Sequence, residues 1–270
     1  GTFLQRIEDT DEARNTPEAN AAIFEGLRWL GIDWDEGPDV GGEFGPYRQS
    51  ERKEVYDRYL SNLEKKGLVY EDEGAMRFRC PNVDRTIPDL ICGDTTFADR
   101  NEPDMTIRRA DGSYIFHFVS VVDDLEMGMT HVIRGEDHLS NTPRHLDLYE
   151  AFAAAPPVFG HIPLILNADG SKMSKRDQGA SIQEYQDEGY LPEAVLNYMA
   201  LLGWSPKGDE EVFPPEALKE HFHLEEVNRA NARFDLAKCE WLSGQYLANL
   251  DASALRQGFR PFFEAKHLPE

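Results

Sequence analysis

The sequence predicts an α/β fold built on a parallel sheet, with a small antiparallel insertion and a helical C-terminal part. Short apolar strands alternate with amphipathic helices on either side of residues 69–109, a pattern typical of βαβ units. Within 69–109 the apolar runs are short and alternating, which favours antiparallel strands. After Tyr185 the apolar spacing is helical. We therefore expect a sheet domain formed by residues 1–68 and 110–180, interrupted by the insertion and followed by a helical unit over 181–270.

The first expected strand and helix lie close to the N-terminus. The short apolar run over residues 3–7 predicts a buried strand. A helix should follow, because Thr16 is a favourable N-cap, Pro17 suits the first helical position and Gly31 suits the end. The residues expected on its buried face are Ile23, Leu27 and Leu30.

A loop and a second helix are expected next. Residues 37–47 contain four glycines and two prolines, which predicts a loop. Ser50 is the expected N-cap of a helix that ends at Gly67. The side chains expected to be buried are Val55, Tyr59 and Leu63.

The remaining elements are predicted from the same signals. Strands are expected over residues 76–79, 86–90, 131–134 and 163–166, and helices over 143–152 and 192–202.

Composition and charge bound the class of protein. The 270 residues are 40% hydrophobic, and no apolar stretch approaches the length of a membrane helix. The first residues lack an apolar signal region and the three cysteines are separated, so we expect a cytoplasmic protein without disulfides. The net charge of −22 alone argues against nucleic acid as a partner, although an acidic protein can carry a local basic face. Because the first residue is not Met, we expect a fragment.

The strongest chemical signal is NADGSKMSKRD at residues 167–177. Lys172 and Lys175 follow a predicted strand and a Gly–Ser turn, with Ser174 and Arg176 as further donors. Such cations can stabilise the charge that grows on pyrophosphate when a triphosphate is attacked at its α-phosphate. The alternative is a solvated loop with surface lysines.

A second signal is the acidic run RIEDTD at residues 6–11, at the end of the first predicted strand. Carboxylates at the C-terminal end of a parallel strand line the crevice in which ligands bind. Glu8 and its neighbours could therefore hold a substrate ammonium group or a metal. The alternative is an acidic cluster favoured by the dipole of the following helix.

A third signal is Arg134, expected at the tip of a buried strand within HVIRGEDH at residues 131–138. Its guanidinium offers a planar, bidentate partner for a carboxylate. The alternative is a buried ion pair with Asp123 or Asp124. Nearby histidines have spacings that fit no zinc pattern, so we expect them to be structural and predict no metal site. They are His117, His131, His138 and His145.

Together these segments resemble class I aminoacyl-tRNA synthetases, and bacterial-type glutamyl-tRNA synthetases in particular. KMSKR at 172–176 resembles the class I signature Lys-Met-Ser-Lys-Ser, in the variant typical of the glutamyl branch. RIEDTD resembles the segment that follows the first crossover helix in that family. Weaker matches are GPYRQSER at 45–52, ILN at 165–167, LGW at 202–204 and FDLAKCEWL at 234–242. The resemblance covers nearly the whole chain.

The resemblance implies a Rossmann-like parallel sheet that lacks its first strand, a short connective insertion and a helical stem-contact unit. The family's His-Ile-Gly-His type ATP element and its anticodon-binding domain have no counterpart in the sequence. We therefore expect this segment alone to form no adenylate. The Cys-rich zinc element of some relatives is also missing, and Cys80 and Cys92 cannot replace it.

By resemblance, the expected activity is that of a monomeric glutamate–tRNA ligase that uses ATP with Mg²⁺, binds glutamate and tRNA(Glu), and has no membrane contact. The implied catalytic residues are Lys172 and Lys175. The implied ATP-binding residues are Asp137, His138, Leu164, Ile165, Met173, Ser174 and Lys175. The implied glutamate-binding residues are Glu8, Phe116, Ser120 and Arg134. Phe116 and Ser120 stand where relatives often have Tyr and Asn, so contacts with the amino acid are expected to differ there.

Two other functions remain open at this point. One is that of a truncated relative, which loads glutamate onto a modified base of an aspartate tRNA. Its lysine loop is often degraded, so the intact loop and the stem-like segment 228–242 argue against it. The other is a non-catalytic paralogue that keeps the fold as a binding module, which the upstream sequence would distinguish.

Overall fold

The computed structural model describes residues 1–10, 16–174, 177 and 179–265. The chain forms two compact units, which we describe separately. The first comprises Gly1–Asn20 and Trp34–His161, and the second comprises Ala21–Asp33 and the chain from Ile162 onward. Within the described ranges, no helix is long and apolar enough to cross a membrane.

Helices and short strands alternate along the chain. The helices are α1 (Pro17–Trp29), α2 (Lys53–Lys65), α3 (Phe116–Glu126), α4 (Thr142–Ala151), α5 (Ile182–Asp187), α6 (Pro192–Gly203), α7 (Pro215–His221), α8 (Leu236–Ala248) and α9 (Ala252–Ala265). The strands are β1 (Val69–Asp72), β2 (Ala75–Phe78), β3 (Arg85–Ile87), β4 (Thr95–Phe97), β5 (Met105–Arg108), β6 (His131–Gly135), β7 (Val158–Ile162), β8 (Ile165–Leu166) and β9 (Ala232–Arg233). Short 3₁₀ helices occupy Gln49–Glu51, Glu136–Asn141 and Leu224–Glu226.

The strand pairings are antiparallel in the insertion and parallel in several other places. Strand β2 pairs antiparallel with β1 and β5, and β3 pairs antiparallel with β4. These pairings confirm the antiparallel strands predicted within 69–109. Strand β8 pairs in parallel with β9, and β6 and β7 are neighbours in another sheet. Isolated parallel bridges join Leu4 to Glu36, Ile7 to Arg48 and Asp89 to Phe159.

The N-terminal strand is less regular than predicted. Only Leu4 and Ile7 form bridges, and Phe3 is 46% exposed. Leu4 pairs with Glu36 and Ile7 pairs with Arg48, and the glycine-rich loop lies between these two partners. The prediction of a continuous buried strand is therefore wrong, because its partner segment is interrupted by that loop.

Helix α1 begins as predicted but packs over a shorter length. The Thr16 hydroxyl accepts the N–H of Ala19 at 3.2 Å, which confirms the N-cap. Of the three residues expected on the buried face, Leu30 is buried, Leu27 is half-buried and Ile23 is 50% exposed. Gly26 is also buried. The expectation that Ile23 is buried is wrong, since only the second half of the helix is packed against other residues.

Helix α2 begins later than predicted. Ser50 is not its N-cap, because the backbone N–H and hydroxyl of Ser50 donate to Asp9 at 2.8 and 2.7 Å. The buried face of α2 also differs from the predicted one. The Tyr56 hydroxyl donates to the buried Asp123 at 3.0 Å, so the side of the helix that carries Tyr56 faces inward. The buried side chains are consequently Tyr56, Leu60 and Leu63, while Val55 and Tyr59 are partly buried.

The later elements agree with the predicted types, with one difference in burial. Strands β6 and β8 and helices α4 and α6 lie within two residues of the expected ranges. Strand β6 is not buried, however, because His131 is exposed and Ile133 is 47% exposed. One face of β6 is therefore open, and the prediction of a buried strand carrying Arg134 is wrong in that respect.

Each unit has its own apolar core. In the first unit, side chains of α2, β2, β5, α3 and α4 pack together; examples are Leu63, Phe78, Ile107, Phe118 and Leu148, each at most 2% exposed. In the second unit, Leu30 packs with buried residues of α5, α6 and α8. The first core fixes α3 and α4, whose polar side chains form the site described below.

A pair of glycine substitutions tests the backbone geometry. Gly67 ends α2 with φ of +69°, so Gly67→Ala should lower the free energy of unfolding by about 1 kcal/mol. Gly244 lies inside α8, so Gly244→Ala should raise it by about 0.5–1 kcal/mol. An added Cβ meets no atom within 4 Å at either position, so the two differ in backbone conformation and not in space. Urea denaturation followed by circular dichroism measures both, and effects of the same sign would contradict this reading.

Candidate functional site

A cleft of about 410 Å³ opens in the first unit. Its walls come from the N-terminal segment, α3, β6 and the 3₁₀ helix Glu136–Asn141. The structure brings into this one cleft five residues that the sequence analysis singled out: Glu8, Phe116, Ser120, Arg134 and His138. Arg6 and Asp124 also line it, and neither had been predicted there.

At the Glu8 side of the cleft, Arg6 joins two carboxylates. It donates to Glu8 at 3.2 Å and to the buried Asp124 at 3.0 Å. Burial acts to lower the pKa of Arg6, but the nearby carboxylates Asp124, Asp123 and Glu8 more than offset it, so the pKa is raised. Arg6 is therefore permanently charged and neutralises Asp124, while the Glu8 side chain remains 44% exposed.

The carboxylate of Asp123 lies beneath the cleft and is fully occupied by other side chains. It accepts from Arg52 Nε at 2.7 Å, from Gln49 at 2.8 Å and from the Tyr56 hydroxyl at 3.0 Å. Asp123 is completely buried, so these contacts compensate its charge. They also attach α2 to α3, which places α3 against the N-terminal segment.

Arg134 is held by acceptors that carry no formal charge. Its Nε donates to His161 Nε2 at 3.2 Å, and its Nη2 donates to the Thr142 hydroxyl at 2.9 Å and to the carbonyl oxygen of His138 at 3.3 Å. Its Nη1 lies 3.4 Å from His145 Nδ1. Nη1 carries two N–H groups, and His145 is its one hydrogen-bond contact among the described residues. At least one N–H group of Nη1 therefore has no acceptor there.

The histidines around Arg134 are neutral. Burial lowers the pKa of His145 well below its ordinary value, and Arg134 lowers it further. Burial likewise lowers the pKa of His117 to about 4, and His117 Nδ1 lies 3.1 Å from His145 Nε2. His145 therefore contacts the arginine as a neutral ring, and His117 contacts His145. Within the described part of the chain, no three His, Cys, Asp or Glu side chains are grouped to hold a metal.

The positive charge of Arg134 has no carboxylate partner in the structure. Asp123 and Asp124 pair with Arg52 and Arg6, so the alternative of an ion pair between Arg134 and either of them is wrong. Among the described residues, no other carboxylate lies within ion-pair distance of this guanidinium. Burial lowers the pKa of Arg134, as expected for a desolvated cation. A half-buried cation of this kind, at the wall of a cleft, is a site for an anionic group of a ligand.

Two buried polar atoms of residues that line the cleft make no hydrogen bond within the described residues. They are the hydroxyl of Ser120, which is 5% exposed, and Nε of Arg6, which lies 3.8 Å from the Asp123 carboxylate. The ring of Phe116 lies 5.7 Å from that of His138 and adds an apolar surface. The cleft therefore offers a cation and an exposed carboxylate, which together suit a small zwitterionic or anionic ligand.

Asp137 is exposed and is not among the residues that line the cleft, whereas its neighbour His138 is. Both belong to the 3₁₀ helix that follows β6.

The predicted lysine loop belongs to the second unit and is a tight hairpin. Lys172 pairs antiparallel with Leu166, and the Met173 N–H donates to the Ile165 carbonyl oxygen at 3.0 Å. Gly170 in the turn has φ of +89°, which glycine adopts without strain. Parallel pairing of β8 with β9 supports the base of the hairpin.

The far side of the hairpin is closed by Asp177. Its carboxylate accepts from the Ser174 N–H at 2.7 Å and from the Asn167 amide at 3.0 Å, and these bonds lower the pKa of Asp177. Lys172 and Ser174 are exposed on this frame, and Met173 is half-buried. Leu164 and Ile165 lie at its base. Lys175 and Arg176, also singled out from the sequence, fall outside the described residues.

Sequence reasoning missed several residues that hold Arg134 and Glu8 in place. They are Arg6, Asp89, Thr142 and His161. Asp89 and His161 are 72 positions apart, so no local spacing links them. Arg6 belongs to the acidic run at residues 6–11. Residues two apart on an extended chain lie on the same face, so the spacing of Arg6 and Glu8 could have predicted their contact.

Comparisons with known proteins agree with this architecture. The profile of tRNA synthetases class I (E and Q), catalytic domain, matches residues 1–75 and 71–241. The chain is 59% identical over 277 residues to the glutamate–tRNA ligase of Akkermansia muciniphila, and 54% identical over 259 residues to that of Methylacidiphilum infernorum. These alignments cover 100% and 94% of this chain, which spans 63% and 58% of the two relatives.

A solved structure shows the same fold. The glutamate–tRNA synthetase of Elizabethkingia anophelis superimposes with a TM-score of 0.89 at 31% identity, covering 100% of this chain and 68% of that one. The predicted α/β fold of a class I synthetase is thereby confirmed. The chain belongs to the family of class I tRNA synthetases (E and Q), within its catalytic domain.

Proposed function

We propose that this protein is a glutamate–tRNA ligase, which activates glutamate with ATP and transfers it to the 3′ end of tRNA(Glu). The observation that carries the proposal is the half-buried Arg134 guanidinium, which has no carboxylate partner among the described residues and lies in a cleft that also holds the exposed Glu8. The high identity to proteins named glutamate–tRNA ligase supports it.

Glutamate is the amino acid that this cleft suits. Arg134 binds its side-chain carboxylate, for which the open Nη1 donor is available, and Glu8 binds its ammonium group. Ser120 donates to the same ligand through its unused hydroxyl, and Phe116 packs against its methylene groups. Glutamine would leave part of the guanidinium charge without a counter-ion, which disfavours it.

For ATP, the residues proposed from the family resemblance are Lys172 and Lys175 for the phosphates, and Leu164, Ile165, Met173 and Ser174 for the nucleoside. Asp137 and His138 are further ATP-binding candidates from the same resemblance. Mg²⁺ enters with the phosphate oxygens, which are hard ligands of the kind that it prefers. The hairpin of the lysine loop supports this assignment, because its backbone holds Lys172 on an exposed turn.

The reaction needs no protein nucleophile. An oxygen of the α-carboxylate of glutamate attacks the α-phosphorus of ATP. The bond from this phosphorus to the oxygen that bridges it to the β-phosphorus breaks, and pyrophosphate leaves. A ribose hydroxyl of the terminal adenosine then attacks the glutamyl carbonyl, loses its proton, and AMP leaves. The chain contributes positioning and charge stabilisation, which together account for large rate effects in other enzymes.

The proposal extends to the setting of the enzyme. It acts in the cytoplasm as a monomer, with residues 69–109 as a connective insertion and 181–270 as a stem-contact unit. Light scattering on the purified protein tests the monomeric state.

The first test concerns Lys175 in the full-length protein. Lys175→Ala should lower the rate of glutamate-dependent pyrophosphate exchange on the order of 10²–10³-fold, with tRNA(Glu) present, because this cation acts on charge that develops at the leaving group. The matched control is Lys207→Ala, which removes an exposed lysine paired with Glu226. An unchanged rate with a raised KM for ATP would show that Lys175 binds only the ground state.

The second test concerns substrate choice. Arg134→Ala should remove most of the preference for glutamate over glutamine, because the discriminating charge is lost. Glu8→Ala should weaken both amino acids alike, since they share the ammonium group. The measurement is kcat/KM for each amino acid in both variants and the wild type. A wild-type ratio in Arg134→Ala would assign this arginine a structural role.

A further inference from the structure

A chain of three hydrogen-bonded groups, of which Asp89 and His161 are buried, runs from the insertion to Arg134 in the cleft. The Asp89 carboxylate contacts His161 Nδ1 at 2.5 Å, and His161 Nε2 accepts from Arg134 Nε at 3.2 Å. His161 is completely buried and Asp89 is 6% exposed. Asp89 follows β3 and bridges to Phe159 in β7, so the backbone holds it beside the histidine.

The two oxygens of Asp89 have different tasks. Oδ1 accepts three backbone N–H groups, from Ile91 at 3.0 Å, Cys92 at 2.8 Å and His161 at 3.1 Å. Oδ2 contacts the imidazole ring. Because Oδ1 is committed to three donors, the carboxylate cannot rotate without losing them, and Oδ2 stays directed at Nδ1.

The proton position on His161 follows from the groups around its ring, which are Asp89 at Nδ1 and both Arg134 and the Thr142 hydroxyl at Nε2, the hydroxyl at 3.2 Å. The hydroxyl can donate or accept, so Arg134 decides the role of Nε2. A guanidinium only donates, so His161 Nε2 must accept from Arg134. The ring proton must then reside on Nδ1, where the Asp89 carboxylate accepts it. This arrangement leaves Nε2 with a lone pair directed at Arg134.

We propose that Asp89 is a positioning residue for amino-acid recognition: it holds His161 as the Nδ1–H tautomer, and His161 thereby orients the guanidinium of Arg134 toward the ligand. This inference rests on the proposed function of the cleft. Asp89 does not line the cleft and touches no part of the ligand. Its effect is on binding of the glutamate side chain, and it leaves the chemistry at the α-phosphate unchanged.

Asp89→Asn tests this with almost no change in volume. The asparagine oxygen should remain on the three backbone N–H groups, which directs the amide NH₂ at His161 Nδ1. The ring proton must then move to Nε2, where it opposes the Arg134 N–H. In the full-length protein, KM for glutamate should rise on the order of ten- to hundredfold with little change in kcat.

Two substitutions of His161 separate the roles of its nitrogens. His161→Gln places an amide oxygen near the Nε2 position and should keep KM within about threefold of the wild type. His161→Asn has no atom there and should raise KM as Asp89→Asn does. Equal KM values for the Gln and Asn variants, both folded by thermal melting, would overturn the proposal.

Asp147→Asn is the control for loss of a buried carboxylate. Asp147 accepts from Arg85 at 2.8 Å and Arg100 at 2.6 Å, and it does not contact Arg134. The Asp147→Asn substitution should lower the melting temperature and leave KM for glutamate unchanged. If it raises KM as much as Asp89→Asn, the effect of Asp89 is general destabilisation and the proposal fails. Failure of the wild type to exchange pyrophosphate with glutamate would instead reject the proposed function itself.

Discussion

The charge of Arg134, which is half-buried among neutral acceptors, is the constraint on which the site depends. Two imidazoles, a hydroxyl and a carbonyl oxygen hold the guanidinium without cancelling its charge. A single carboxylate in their place would form an internal ion pair and leave little affinity for an anionic ligand. Burial keeps His145 neutral, so the packing of α4 and the charge of the site are parts of one arrangement.

The two buried carboxylates of α3 pair with arginines other than Arg134. Asp124 is paired with Arg6, and Asp123 with Arg52, Gln49 and Tyr56. The same pairs join the N-terminal segment, α2 and α3. Arg52 is thus used for packing, Arg134 is left for a ligand, and Arg6 both pairs with Asp124 and holds Glu8 at the cleft.

The predicted fold was most accurate where local signals and tertiary packing agree. Thr16 caps α1 and glycine ends α2, since these depend on neighbouring backbone groups. Ser50 has the same local suitability for a cap but binds Asp9 instead, 41 positions earlier in the chain. Ile23 lies on the expected helical face and remains exposed, because periodicity identifies a face and cannot tell how far along the helix the packing extends.

By itself, the sequence determined the α/β class, the antiparallel insertion and the family, because these are recorded in periodicity and in contiguous motifs such as 6–11 and 172–176. It also identified Glu8, Phe116, Ser120, Arg134 and His138, which the structure places around one cleft. Only the tertiary structure decided which carboxylates pair with which arginines, and that Asp89 and His161 support Arg134. These are contacts between residues far apart in the chain, and their energies depend on burial and mutual distance, which sequence spacing does not record.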